Sequence, residues 1–151
     1  MSNEAKYTYA ASKALETSGG TVANAGFNSG DGLSITSGDH SDYPLADAVL
    51  YVPGFGSALA GFQVINLYRR DMDACGDTSA DCYAPAAAYK YLYVGSFVLP
   101  QSNATNSTGY HSITDIPLSA ACIMYIENTT GQTLNSAWSL TIRPKTYGPV
   151  A

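Results

Sequence analysis

Apolar side chains recur along this chain with a period of two, in runs that proline or glycine cuts off every ten or so positions. The last run is the clearest. From Ser136 to Arg143, Trp138, Leu140 and Ile142 point one way and Ser139, Thr141 and Arg143 the other, and Pro144 closes the run. Comparable runs predict strands at Ala46 to Val52, Gly61 to Arg69, Ala88 to Leu99, Ser112 to Ile116 and Ala120 to Asn128. Two shorter extended candidates precede them, Lys6 to Ala10 and Gly32 to Ser37. The run from Ala11 to Glu16 could open a helix, but Ser18-Gly19-Gly20 would end it within two turns, too short to hold on its own. An extended N-terminal arm is therefore expected. Short strands separated by turns, with no helical pattern between them, predict an antiparallel β-sandwich or barrel.

The length of 151 residues suits one domain, with residues 1–40 as the arm and first short strands and residues 41–151 as the sandwich core. Two strands carry apolar side chains on both faces. In Ala88 to Leu99, Tyr89, Tyr91, Tyr93 and Phe97 fall on one face and Leu92, Val94 and Val98 on the other. In Ala120 to Asn128, Ala121, Ile123 and Tyr125 oppose Cys122, Met124 and Ile126. A sheet with one wet face alternates apolar and polar residues, so these strands require cover on both sides. The chain's own arm and loops would supply it, or a second protein surface would. For the second case Tyr89, Tyr91, Tyr93, Phe97, Ile123 and Tyr125 are the candidate interface, because tyrosine buries a large ring and keeps a hydroxyl for the rim.

Composition narrows the function. Charged residues are 13% of the chain against 46% apolar, which excludes overall disorder, and a net charge of −5 opposes binding by phosphate neutralisation. No nucleic acid partner is expected. No stretch approaches the roughly 20 apolar residues of a spanning helix, and the opening Met1 to Tyr7 lacks the apolar core of an export signal, so no membrane partner and cytoplasmic synthesis without export are expected. An odd count of three cysteines agrees with a reducing compartment. On that view the sequons at Asn103, Asn106 and Asn128 are accidents of a chain rich in Asn, Ser and Thr.

Few residues offer chemistry. Asp71, Asp73 and Gly76 match positions one, three and six of a calcium loop, but Cys75 and Cys82 stand at positions five and twelve, where oxygen ligands belong. A solvated acidic loop is expected there, and no metal. Cys75 and Cys82 lie seven apart, so a disulfide between them is conceivable beside the alternative of two free thiols. Cys122 reads as a small buried hydrophobe. His40 sits in a polar turn. His111 and Asp115 would be about 13 Å apart along a strand, outside hydrogen-bond reach. There is no nucleophile elbow, and Gly30-Asp31-Gly32 and Gly54-Phe55-Gly56 lack the strand-then-helix context of a phosphate cradle. Neither an enzyme nor a cofactor is expected.

Several blocks resemble small virion proteins of tailed double-stranded DNA bacteriophages. These are Lys6 to Ser12, Asp42-Tyr43-Pro44-Leu45 before a strand and a Gly-rich turn, Val64 to Tyr68, Tyr93-Val94-Gly95-Ser96-Phe97, and Tyr147-Gly148 after the Trp138 strand. The pattern is similar to head decoration (cement) proteins; the loop from Asp71 to Ala87 departs from it. The resemblance implies a jelly-roll-like sandwich and a non-enzymatic structural protein on the outer capsid surface of the virion. It further implies the major capsid protein as partner, frequent assembly as a homotrimer, and reinforcement of the head lattice. The competing expectation is a phage tail or fibre module that binds a host receptor or glycan with exposed tyrosines.

Overall fold

The computed structural model describes residues 5–28, 33–35, 43–72, 86, 92–100, 108–119 and 121–149. Those residues form two antiparallel sheets packed face to face. Ten strands run in chain order: β1 (Ala5–Tyr9), β2 (Lys13–Gly19), β3 (Gly26–Phe27), β4 (Ser34–Ile35), β5 (Leu45–Val52), β6 (Gln63–Asp71), β7 (Tyr93–Leu99), β8 (Gly109–Pro117), β9 (Cys122–Asn128) and β10 (Trp138–Pro149). One sheet has the order β1-β10-β5-β8, with β2 also on β10; the other has β3-β9-β6-β7, with β4 also on β9. No α-helix occurs among the described residues.

The period of two places the core. Trp138, Leu140 and Ile142 of β10 and Ala46, Ala48, Leu50 and Val52 of β5 line the inner face of the first sheet. Ile65 and Leu67 of β6, Phe97 and Leu99 of β7, and Met124 and Ile126 of β9 line the inner face of the second. All are buried, and their removal from water supplies the main force that holds the sheets together. The Trp138 ring lies over Gly19 of β2, and its indole N–H donates to the Gly20 carbonyl at 2.7 Å. Neighbouring Gly19 has no room for a side chain, since a Cβ would lie 2.0 Å from the indole ring.

Three expectations need correcting in detail. The segment expected as an arm is extended, but β1 and β2 pair with β10 as the edge of the first sheet, while β3 and β4 pair with β9 of the second. The last strand does not stop at Pro144 but runs on to Pro149. Proline is tolerated there because its position on β10 coincides with the break between β2 and β1, where Ala10 N–H donates to the Pro144 carbonyl at 2.9 Å. Its missing N–H would have pointed to the same side. Finally, Tyr93 and Phe97 do not share a face. Phe97 pairs with Ile65 and Tyr93 with Tyr68, and a register shift at Leu67/Tyr68 inserts one residue between the two pairs.

Candidate functional site

The outer face of the first sheet carries most of the exposed aromatic surface among the described residues. On β10 the outward side chains are Ser139, Thr141, Arg143, Lys145 and Tyr147, a row about 27 Å long at strand spacing. Tyr147 pairs with Tyr7 of β1, and Lys145 pairs with Tyr9. The Tyr7 and Tyr147 ring centroids lie 5.3 Å apart, and the Tyr7 and Tyr9 centroids 6.2 Å apart. At the other end, Tyr51 of β5 pairs with Tyr110 of β8, with ring centroids 5.0 Å apart. Tyr147 is 61% exposed and Tyr110 76%. Between the two clusters lie Val49, Thr141 and Ser112, so five tyrosines frame a strip of small side chains.

A buried cation anchors one end of this face. Lys145 is 2% exposed although it points outward, because the Tyr7 and Tyr9 rings stand over its ammonium, 4.4 and 5.9 Å away at their centroids. Its Nζ contacts Asp47 Oδ1 on β5 and lies 2.7 Å from Asp115 Oδ1 on β8. Asp115 reaches this point through a local irregularity. The β5–β8 register shifts beside Asp47, and Asp115 adopts a positive φ of 60°, a conformation Asp tolerates better than most residues. Its backbone N–H also donates to Asp47 Oδ1 at 3.1 Å. Burial disfavours the lysine's charge, but the hydrogen bonds to Asp115 and Asp47 outweigh it and hold the pKa above the ordinary lysine value. Arg143 lies with its guanidinium 4.5 Å from the Tyr9 ring centroid.

The outer face of the second sheet is different. Here Tyr68, Ile123, Tyr125 and Glu127 point away from the core and are nevertheless buried within the single chain. Phe27 of β3 contributes to that cover, its ring 5.5 Å from Tyr68. Glu127 Oε2 accepts from the Tyr68 hydroxyl at 2.9 Å and from Asn66 Nδ2 at 3.1 Å. Ser96 Oγ donates to Asn66 Oδ1 at 2.6 Å, and the Tyr93 hydroxyl lies 2.7 Å from Ser96 Oγ. With the serine proton committed to Asn66, Tyr93 is the donor in that last bond. A polar chain thus runs from exposed Tyr93 to a buried carboxylate. Burial first, then Glu127, pushes the Tyr68 phenol up to about 12.

The candidate interface of Tyr89, Tyr91, Tyr93, Phe97, Ile123 and Tyr125 is not brought together as one exposed face. Phe97 is in the core, and Ile123 and Tyr125 are buried on the outer side, so none of the three is open to a partner. Tyr93 is exposed, while Tyr89 and Tyr91 lie outside the described residues. The tyrosines that are outward-facing on the first sheet are Tyr7, Tyr9, Tyr51, Tyr110 and Tyr147. The alternation Tyr7-Thr8-Tyr9 was a usable signal for the first two. Tyr147 is hidden in the sequence because Pro144 predicts the end of its strand.

The other candidate sites resolve simply. Cys75, Cys82 and His40 lie outside the described residues, as do Asp73 and Gly76 of the calcium-like loop. Asp71 pairs with Arg69, Nε to Oδ1 at 2.7 Å, and accepts from Ser119 Oγ at 2.7 Å. Cys122 is buried, which pushes its thiol up. His111 points inward opposite Leu50, and burial lowers its pKa. No group of three or more His, Cys, Asp or Glu side chains is placed to hold a metal among the described residues. Asn128, within a sequon, is fully buried, and its Nδ2 donates to the Val22 and Gln132 carbonyls at 2.8 and 2.7 Å. It organises the turn after β9. No helix among the described residues is long and apolar enough to cross a membrane. Comparison with protein families, curated proteins and solved structures finds no match to the chain.

Proposed function

We propose that this chain is a non-enzymatic structural component of a tailed-phage virion. In this reading it docks on the outer surface of the head, against the major capsid protein, and reinforces the lattice. The observation that carries the reading is the tyrosine-framed outer face of the first sheet, with Tyr7, Tyr9, Tyr110 and Tyr147 all exposed. Rings of this kind bury large area at low entropic cost, and their hydroxyls tolerate a wet rim, which is what docking onto a large protein surface requires. The Lys145 charge beneath the face is internally paired with Asp47 and Asp115, so docking there does not strand that ion.

The second reading is a tail or fibre module that binds a host receptor or glycan. The tilted pair Tyr51–Tyr110 favours it, since the exposed Tyr110 ring can also stack on a sugar. Copy number in purified particles separates the two. Stoichiometry comparable to the major capsid protein supports the head assignment. A handful of copies moves the chain to the tail and makes a glycan-binding screen with Tyr110→Ser the next step. Absence from particles overturns both.

A further inference from the structure

The open edge of β1 extends the same tyrosine surface, and its geometry specifies a partner beyond the functional reading above. Among the described residues, β1 lies at the end of its sheet, with β10 on one side only. Lys6, Tyr7, Thr8 and Tyr9 are all exposed, so both faces of this strand are in water. The usual protections of a free edge are missing within it: it holds no proline, no bulge and only one lysine, and Tyr and Thr are strong strand formers.

Backbone parity then fixes which groups are free. Ala10 N–H donates to the Pro144 carbonyl, which turns the N–H and C=O of the even-numbered residues toward β10. Those of Tyr7 and Tyr9 point outward. We infer that this edge pairs antiparallel with β1 of a second copy of the chain, about a two-fold axis at Thr8. In that register Tyr7 faces Tyr9 of the second copy and the reverse, and each such pair exchanges both backbone hydrogen bonds. The row Tyr147–Tyr7 continues into Tyr9 and Lys145 of the second copy, so the two tyrosine faces become one and the sheets join into a single eight-strand path.

Charge selects this register over its neighbour. An axis at Tyr7 has the same backbone parity, but it sets Lys6 of one copy opposite Thr8 of the other, so the two lysines become diagonal neighbours on one face. Moving the axis to Thr8 sets each lysine opposite Ala10 and separates the two by about 13 Å along the strands. The pairing is isologous, and it closes as a dimer, not as the trimer implied by the family resemblance.

Directly opposite residues at a non-hydrogen-bonded position have Cα atoms about 4.5 Å apart, within disulfide range. Thr8 occupies that position on the axis. The test is Thr8→Cys in a full-length Cys75→Ser/Cys82→Ser background, oxidised and run on a non-reducing gel, with Lys6→Cys in the same background as the control. The expected result is a disulfide dimer at Thr8 at least tenfold faster than at Lys6, a dimer of the unmodified chain by light scattering, and a monomer for Thr8→Glu, which sets two carboxylates face to face. Equal cross-linking at both positions, a monomer of the unmodified chain at its highest soluble concentration, or a trimer overturns the pairing. A monomer found at lattice stoichiometry in particles defeats the pairing alone. A dimer absent from particles defeats the functional proposal alone.

Discussion

The Lys145 ammonium lies 4.4 Å from the centroid of the Tyr7 ring, so strand β1 serves as the roof of a charge that β5 and β8 hold from below. Removing either partner alone should be costly, and removing the whole cluster should cost less. Asp47→Ala leaves a buried ammonium with one fewer acceptor, and is expected to cost about 2 kcal/mol of unfolding free energy. Lys145→Met keeps the packing against Tyr7 and Tyr9 but leaves Asp47 and Asp115 side by side without their cation, and is expected to cost about 3 kcal/mol. Lys145→Met/Asp47→Asn/Asp115→Asn removes all three charges and should recover part of that loss. Urea unfolding of the three variants checks the contrast. A triple variant no more stable than Lys145→Met would show that the charges are not what the site stabilises.

Alkali should weaken the fold through the buried phenol of Tyr68. Tyr68 ionises at 10.0 in an unfolded chain and is pushed up to about 12 in the fold. A raised pKa means that the folded chain holds its proton longer. Its contribution is therefore complete below pH 10 and is lost progressively as pH rises to about 12. Lys145 acts in the same direction, since its pKa also stands above the ordinary value. Tyr68→Phe should cost about 1–3 kcal/mol at neutral pH, because Glu127 loses a donor inside the protein. The same variant should flatten the fall in stability above pH 10. An unchanged slope would remove Tyr68 from the alkaline response.

Much of the fold was legible because side-chain alternation and strand geometry share one period. Ala46, Ala48, Leu50 and Val52 point inward as their spacing requires, and Trp138, Leu140 and Ile142 do the same. Alternation fails wherever register changes. The inserted residue between the Tyr68–Tyr93 and Leu67–Gly95 pairs inverted the face of Tyr93 relative to Phe97, and nothing in the local sequence announces it. Pro144 misled in the opposite sense. By itself it predicts a stop, and it is a permitted position only because two different strands pair with β10 on either side of it. The candidate surface was harder still, since Tyr7, Tyr147, Tyr51 and Tyr110 are brought to one face by pairing across up to 140 positions of chain. Such partnership is a property of topology, which local spacing does not encode.

Gly19 is fixed by proximity to Trp138. A Cβ at this position would lie 2.0 Å from the indole, a separation that packed atoms do not adopt. Gly19→Ala must displace the ring or open the β2–β10 pairing, and the indole would lose its bond to the Gly20 carbonyl. The expected cost is about 2–3 kcal/mol, typical of overpacking, with a red-shifted tryptophan emission from the single Trp as its spectroscopic mark. Gly20→Ala meets no atom within 4 Å and serves as the control. Matching stability for the two variants would argue against the ring as the constraint.

The two tyrosine populations should separate cleanly under mutation. Tyr110 and Tyr147 are exposed on the first sheet, and Tyr125 is buried on the outer side of the second. A Tyr110→Ser/Tyr147→Ser pair removes surface already in water, so its unfolding free energy should stay within about 0.5 kcal/mol per site of the parent. Tyr125→Ser empties a buried site and should cost about 3 kcal/mol or more. Binding to capsids that lack the chain, measured by co-sedimentation, should reverse this order. The surface pair is expected to lose at least tenfold in affinity, while the Tyr125 variant, assayed where it remains folded, should bind as the parent does. Loss of binding in the Tyr125 variant with retention in the surface pair would place the docking face on the second sheet, around Tyr93 and Val98, which are the exposed residues of β7.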